Sequence, residues 1–377
     1  MKIQLNDNGF HLEFAPLTLL KPVADLRMGI LTFEERWEEF FPDAEFCVAT
    51  EKYLQKKYPL ENNWDLSVPA NVIPNEDYVA ALNGMENDTA LYLGDIWLGM
   101  KGSGKTIMQY KGEDLVVISK RWHLFQKNDL VLKSDFSLLT EGMNSQRLSE
   151  TVTVIGDRSL IFLEEGAKAE ACVLNTTDGP IYIGEDAEIM EGSLIRGPFA
   201  LCEHGGIKMG TKIYGATTIG PHCNVGGEVK NSVFQAYSNK GHDGFLGNSL
   251  IGEWCNLGAD TNSSNLKNNY STIRTYSYVL GSEEQTDLQL IGLTMGDHSK
   301  CGINTMFNTA TVVGVSCNIY GGDFPQKFIP SFSWGGAEFV PFDFNKAKDA
   351  ANAMMARRGL ELSKEEIEIL NHVKLDK

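Results

Sequence analysis

Residues 183–225 read IGEDAEIMEGSLIRGPFALCEHGGIKMGTKIYGATTIGPHCNV, and an aliphatic residue recurs at every sixth place: Ile183, Ile189, Ile195, Leu201, Ile207, Ile213, Ile219 and Val225. A helix repeats its apolar face near 3.6 residues and a strand at 2. A period of six fits neither. It fits a hexapeptide β-helix, in which short strands wind into coils and each repeat buries one aliphatic side chain. Sandwich strands alternate at period 2 and would not hold this phase.

Working outward, the register takes in Ile155, Ile161, Ala167 and Val173, with the loop 175–180 shifting the phase. Downstream it resumes at Ile251 and Leu257 and closes with Met295, Cys301, Phe307, Val313 and Ile319. Residues 231–250 read as a break, with Lys240-Gly241-His242-Asp243-Gly244 in a loop leaving the coils. A second break, 262–289, holds two apolar segments around Gly281-Ser282-Glu283-Glu284 and predicts a projecting hairpin. Irregular loops on a rigid repeat are where function usually sits.

The flanks differ. Up to about residue 145 there are no hexads, and strands (3–5, 45–48, 90–93, 115–119) alternate with helices (33–40, 51–57, 76–83), which predicts an α/β domain. Thr32 reads as the N-cap of the first of these helices. Residues 324–344 read as an ordered loop capping the open end of the coils, followed by helices at 345–358 and 364–373, with Ser363 and Glu366 as a capping box.

Composition bounds the partners. The formal net charge of -17 argues against nucleic acid, whose phosphates need a basic face. No apolar run has membrane-spanning length and no leader is read. The seven cysteines show no Cys-x-x-Cys pair and read as reduced thiols of a cytoplasmic protein.

Among residues able to do chemistry, His242 stands out because glycines flank its loop. An imidazole can take the proton of an amine or hydroxyl as that group attacks a thioester. A surface histidine capping a turn is the alternative. His204 and His222 are spaced to stack on adjacent coils, and no third ligand has metal-site spacing.

The run Lys230-Asn231-Ser232, Gly241-His242, Phe245-Leu246-Gly247-Asn248, Ile251-Gly252 and Asn256-Leu257-Gly258-Ala259 resembles the acyltransferase half of GlmU. That family joins glucosamine-1-phosphate N-acetyltransferase and N-acetylglucosamine-1-phosphate uridylyltransferase activities. Segments 17–32 and 296–336 look like its divergent Bacteroidetes forms. The resemblance implies a left-handed parallel β-helix and a homotrimer with acetyl-CoA in the groove between subunits. It implies that His242 is the general base, that Asn256 and Asn265 hold the sugar, that Lys230 contacts its phosphate, and that Ala259 lies beside the thioester. The family's Tyr is replaced by Phe245, and its phosphate-binding Arg falls at about Glu203. Arg274 on the hairpin would be a replacement cation.

Near the start, Pro16-Leu17-Thr18 and Lys21-Pro22 resemble sugar-phosphate nucleotidylyltransferases, which cradle nucleotide phosphates in a glycine-rich loop. Here 8–13 keeps one glycine, and Glu13 stands near the expected Arg. The resemblance implies nucleotide contacts from Lys21, Asp25 and Arg27, and Mg²⁺ at Asp95 of Gly94-Asp95. Gly102-Ser103-Gly104-Lys105-Thr106 lacks the earlier phosphate-loop glycine and reads as a plain loop.

The expected architecture is therefore a degenerate nucleotidyltransferase-like (Rossmann-like) α/β domain (1–145), a left-handed β-helix (146–323) and a C-terminal capping loop with helices (324–377). The expected function is acetyl transfer from acetyl-CoA to an amino-sugar phosphate, coupled or not to formation of a UDP-sugar. The alternatives are a nucleotidylyltransferase whose β-helix only trimerises it, and a non-catalytic sugar-nucleotide-binding scaffold.

Overall fold

The hexads form the coils of a parallel β-helix in the computed structural model, which describes residues 1–375. The described residues divide into two units, one of residues 1–26 and 31–121, the other of 27–30 and 122–375.

The second unit carries three ladders of eight, nine and ten strands. The first face runs from Thr153–Ile155 to Met306–Phe307, the second from Ile161–Leu163 to Phe328–Ile329, and the third from Lys168–Ala169 to Phe339–Pro341. Each coil contributes one strand to each face. In-register pairing stacks one inward residue per coil. On the second face the column is Leu163, Ile183, Leu201, Ile219, Phe234, Ile251, Met295, Val313 and Ile329. All nine are buried.

The upstream register differs from the sequence expectation. Ile155 is 48% exposed, and Val173 is only half-buried. The inward residues there are Val154, Leu163, Ala169 and Leu174, which pair with the next coil's Leu174, Ile183, Ile189 and Ile195. Ile161 and Ala167 are buried beside this column.

Residues 231–250 do not leave the coils. Val233–Phe234, Asn239–Lys240, Phe245–Gly247 and Leu250–Ile251 pair in parallel with the coils on either side. The hexad phase is lost because the turn at Gly226-Gly227 shortens the spacing from Val225 to the next inward residue, Val229. The true departure is at 264–293, where Arg274–Ser277 and Ser282–Gln285 form the expected antiparallel hairpin. Residues 324–344 continue the second and third faces by one strand each, and Phe339–Pro341 then pairs antiparallel and ends the third ladder. Helices Phe344–Met355 and Lys364–Leu375 follow, and the Ser363/Glu366 capping box is formed.

Between the second and third faces, the corner residues Asp186, His204, His222, Tyr237, Trp254 and His298 all have φ of 52–60°. Side chains rarely adopt this left-handed region. Each corner N–H donates to a carbonyl one coil earlier, as His204 does to Glu185 and His222 to Glu203. Four of the rings stack along the ridge: His204–His222 at 4.7 Å, His222–Tyr237 at 4.8 Å and Tyr237–Trp254 at 4.1 Å.

The first unit has a six-stranded sheet in the order β2-β1-β3-β5-β4-β6. The strands are β1 (Lys2–Asn6), β2 (Glu45–Ala49), β3 (Leu66–Pro69), β4 (Thr89–Leu93), β5 (Ile96–Met100) and β6 (Thr106–Gln109). Only β5 runs against the others. Helix Phe33–Phe40 begins with a complete Thr32/Glu35 capping box. Helix Glu76–Asn83 is present as expected. Residues 51–57 form turns instead of a helix, and 115–119 contributes only the isolated bridge Val72–Val117.

Candidate functional site

A cleft of about 840 Å³ lies on the outer side of the third face. Its floor is the outward residue of successive third-face strands: Asn224, Asn239, Asn256 and Lys300 are aligned by the parallel register. The Asn224 amide donates to Asn239 at 3.3 Å. One wall is the aromatic ridge at Tyr237 and Trp254. Another is the turn that follows the Phe344–Met355 helix, bearing Arg357 and Arg358. The Arg358 guanidinium donates to the His222 carbonyl at 3.4 Å. Burial, then His204 and Arg358, hold the His222 pKa below its ordinary value.

The remaining wall is the corner from the third face to the first. His242 stands on this corner, and Ala259 on the same corner one coil later. The two coils are tied by Asp260 N–H to Asp243 O at 3.0 Å. Gly244 has φ +112°, and a Cβ there would come within 2.2 Å of the Thr261 carbonyl oxygen. Only glycine therefore lets the chain turn here with His242 outward. The His242 side chain is exposed in the single chain.

The structure thus brings His242, Asn256 and Ala259 into one cleft. It places Lys230, Asn265 and Arg274 elsewhere. Lys230 lies on the first face, over the Tyr214 ring at 5.6 Å. The Asn265 amide donates to Asn248 at 2.8 Å. Arg274 is exposed on the hairpin and donates to Gln285 at 3.1 Å. Glu203 is exposed on the aromatic ridge, so its charge is solvated. The cleft's cations are instead Lys208, Lys300, Arg357 and Arg358, which the sequence reading missed. The adjacent arginines at a helix end were the available signal. Burial lowers the Lys300 pKa, and its ammonium donates to the His298 carbonyl at 3.1 Å.

In the first unit, β1 leads into the loop that should cradle phosphates. Instead a buried network fills it. His11 Nδ1 lies 3.1 Å from Asp7 Oδ2, and His11 Nε2 lies 3.0 Å from the Tyr53 hydroxyl. Asp7 also accepts from the Val23 N–H and the Thr50 hydroxyl. Glu13, standing where a cation was expected, is paired with Lys120 at 2.8 Å.

Arg27 is buried in the second unit, where its N–H donates to Gln235 at 2.7 Å and its guanidinium to the Ile30 carbonyl. These contacts engage Arg27 in the packing of segment 27–30. Lys21 is buried, and Asp25 accepts from the Tyr58 hydroxyl at 2.6 Å. Gly94-Asp95 is the two-residue turn of the β4–β5 hairpin, exposed on the carboxyl edge of the sheet. Open α/β sheets bind ligands along that edge. Among the described residues no group of three or more His, Cys, Asp or Glu is placed to hold a metal ion.

Residues 3–144 match the family model of sugar nucleotidyl transferases. The chain is similar to GlmU. The bifunctional protein GlmU of Methanocaldococcus jannaschii is 31% identical over 90 residues, covering 24% of this chain and 21% of that protein. A bifunctional sugar-1-phosphate nucleotidylyltransferase/acetyltransferase of Sulfurisphaera tokodaii is 27% identical over 146 residues, 38% of this chain and 36% of that one. The GlmU of Synechococcus elongatus is 24% identical over 224 residues, 53% of this chain and 45% of its own length. The chain therefore spans less than half of these curated relatives.

Proposed function

We propose that the chain is a GlmU-like acetyltransferase that moves the acetyl group of acetyl-CoA to the amine of a sugar phosphate or sugar nucleotide. One observation carries the reading: His242, Asn256 and Ala259 share a cleft whose other side holds Lys208, Arg357 and Arg358. The cations suit the phosphates of the co-substrate, because guanidinium groups bind phosphate in a forked geometry.

In the step itself, the sugar amine attacks the thioester carbon. A C–N bond forms and the C–S bond breaks. His242 takes the amine proton and returns it to the departing thiolate, so protons balance. Asn256 orients the sugar through its amide. Lys230 and Asn265 lie away from the cleft in one chain, which fits a site completed by a neighbouring copy, as in a homotrimer. The test is acetyl-CoA turnover against a panel of amino-sugar phosphates with His242→Ala as control. Undiminished acetyl transfer by that variant removes the role of His242.

A second reading is favoured by the family match over residues 3–144: sugar-1-phosphate nucleotidyl transfer by the first unit. Asp95 on the carboxyl edge suits Mg²⁺, which is bound by one or two carboxylates together with substrate phosphates. The filled loop at His11 and the packing of Arg27 weigh against full activity. Pyrophosphate release from a nucleoside triphosphate and a sugar 1-phosphate tests it. A chain that binds sugar nucleotides without releasing either product would be a scaffold.

No helix among the described residues is long and apolar enough to cross a membrane.

A further inference from the structure

We propose that Lys240 is a positioning residue: from inside the β-helix its ammonium holds the carbonyls of the His242 corner and fixes where that imidazole stands in the cleft. The inference rests on the acetyltransferase reading above.

The third-face inward column is Ala169, Ile189, Ile207, Val225, Lys240, Leu257, Cys301 and Ile319. An aliphatic residue would continue it at position 240. A lysine stands there instead, 1% exposed. An ammonium has three N–H donors and no acceptor. The Lys240 Nζ donates to the carbonyls of Gly226 at 3.0 Å, His242 at 2.9 Å and Asp243 at 3.4 Å.

Two of those three carbonyls belong to the corner that presents His242, and the third lies on the same corner one coil earlier. Asp243, Asp260 and Cys301 are the titratable groups that act on Lys240, and none forms an ion pair with it. Burial outweighs them and pushes its pKa down to about 8. A buried cation without a counter-ion is unfavourable for the coil. Its interactions all go to backbone, and the corner they hold is otherwise formed by exposed side chains. A lysine that merely filled space would do so less well than methionine.

The experiment compares the full-length wild type with Lys240→Met, which keeps a flexible stem and removes the donors. Three quantities are read: acetyl-transfer kinetics below and above pH 8, thermal melting, and amide hydrogen exchange at 241–244. The expected result is a kcat reduced by roughly 10- to 100-fold, as for loss of general-base alignment, with KM for acetyl-CoA unchanged. Melting should not fall, and exchange at 241–244 should speed up. The wild type's decline in kcat above pH 8 should be missing from the variant.

Wild-type kinetics and exchange in Lys240→Met overturn the proposal. So does a variant that melts well below the wild type, because Lys240 would then be a strut of the coil. If the wild type transfers no acetyl group to any acceptor, the acetyltransferase reading fails by itself. Exchange at 241–244 then still decides the tether: faster exchange in the variant supports it, and unchanged exchange overturns it.

Discussion

The two units treat their polar residues in opposite ways. In the β-helix the core is a set of inward columns, and the residues of the cleft stand on outward columns and corners. His242, Asn256 and Ala259 stand outside the inward columns that hold Val225, Leu257 and Ile219. In the α/β unit the same neighbourhood must supply both stability and chemistry. There Asp7, His11 and Tyr53 bond to one another in a buried network. Glu13 is paired with Lys120. A repeat separates packing from function. A single sheet edge with one loop does not, and side chains recruited into packing are lost to a ligand.

The largest test of this contrast is His242→Ala. Loss of a general base removes about 10²- to 10⁴-fold of rate. We expect that drop in kcat for acetyl transfer with an unchanged melting curve, because the exposed imidazole makes no contribution to the core. A comparable drop in stability would show that the corner is not separate from the columns.

Next comes the column itself. Ile219→Ala should destabilise by roughly 2–5 kcal/mol, the range for a buried aliphatic truncation. Ile155→Ala should fall within about 0.5 kcal/mol of wild type, since that side chain is 48% exposed. Denaturant melts of both variants check the register directly. Equal losses would restore the register that sequence alone suggests.

That register shows what sequence could and could not reveal. The hexads from Ile183 to Val225 are legible because eight aliphatic residues keep one phase without a break, which outweighs an apolar neighbour such as Leu194. At Val154-Ile155 and Val173-Leu174 two adjacent residues are apolar, so hydrophobicity does not say which faces inward. Past Val225 the shortened turn at Gly226-Gly227 hides the phase, and Lys240 breaks the apolar pattern where the coil continues.

In the α/β unit, β3, β5 and β6 are missed: β3 ends at Pro69, β5 contains Gly99, and β6 is short and mostly exposed. Helix Asn128–Thr140 of the second unit is also missed. Its buried side includes Asn128 and Asp135, which accept from the N–H groups of Gly29 and Ile30. Of the site, the sequence motif reached His242, Asn256 and Ala259. The cations Arg357 and Arg358 come from a distant helix end, and only folding places them there.

Lys240 breaks the separation of core from function, and its pH dependence measures by how much. Its folded pKa, about 8, lies below the ordinary 10.5. Between these values the unfolded chain holds the proton and the folded chain does not, so stability rises with pH across that window. The linked change is on the order of 3 kcal/mol, at 1.36 kcal/mol per unit. Melts from pH 7 to 11 should show a rise for the wild type that Lys240→Met lacks. Parallel curves would mean the ammonium is better compensated than its three carbonyls suggest.

The smallest effect belongs to the other unit and has the opposite sign. Glu34, in the first turn of the Phe33–Phe40 helix, has its pKa raised to about 7. Burial is the main cause, followed by the charges of Asp25, Glu38 and Glu35. The folded state therefore binds a proton that the unfolded state has already released above its ordinary 4.5. The resulting stability is fully present below 4.5 and is lost as pH rises through 7. Glu34→Gln removes the charge and leaves the Thr32/Glu35 capping box in place. It should leave stability nearly unchanged at pH 4.5 and raise it by about 1–2 kcal/mol at pH 8, allowing for solvent screening of this half-buried group. Because Asp25 is among the charges opposing Glu34, a bound cation there would reverse the result: the glutamine variant would gain nothing at pH 8, and the wild type would gain stability on addition of Mg²⁺. That outcome would place Asp25 at a cation site of the first unit.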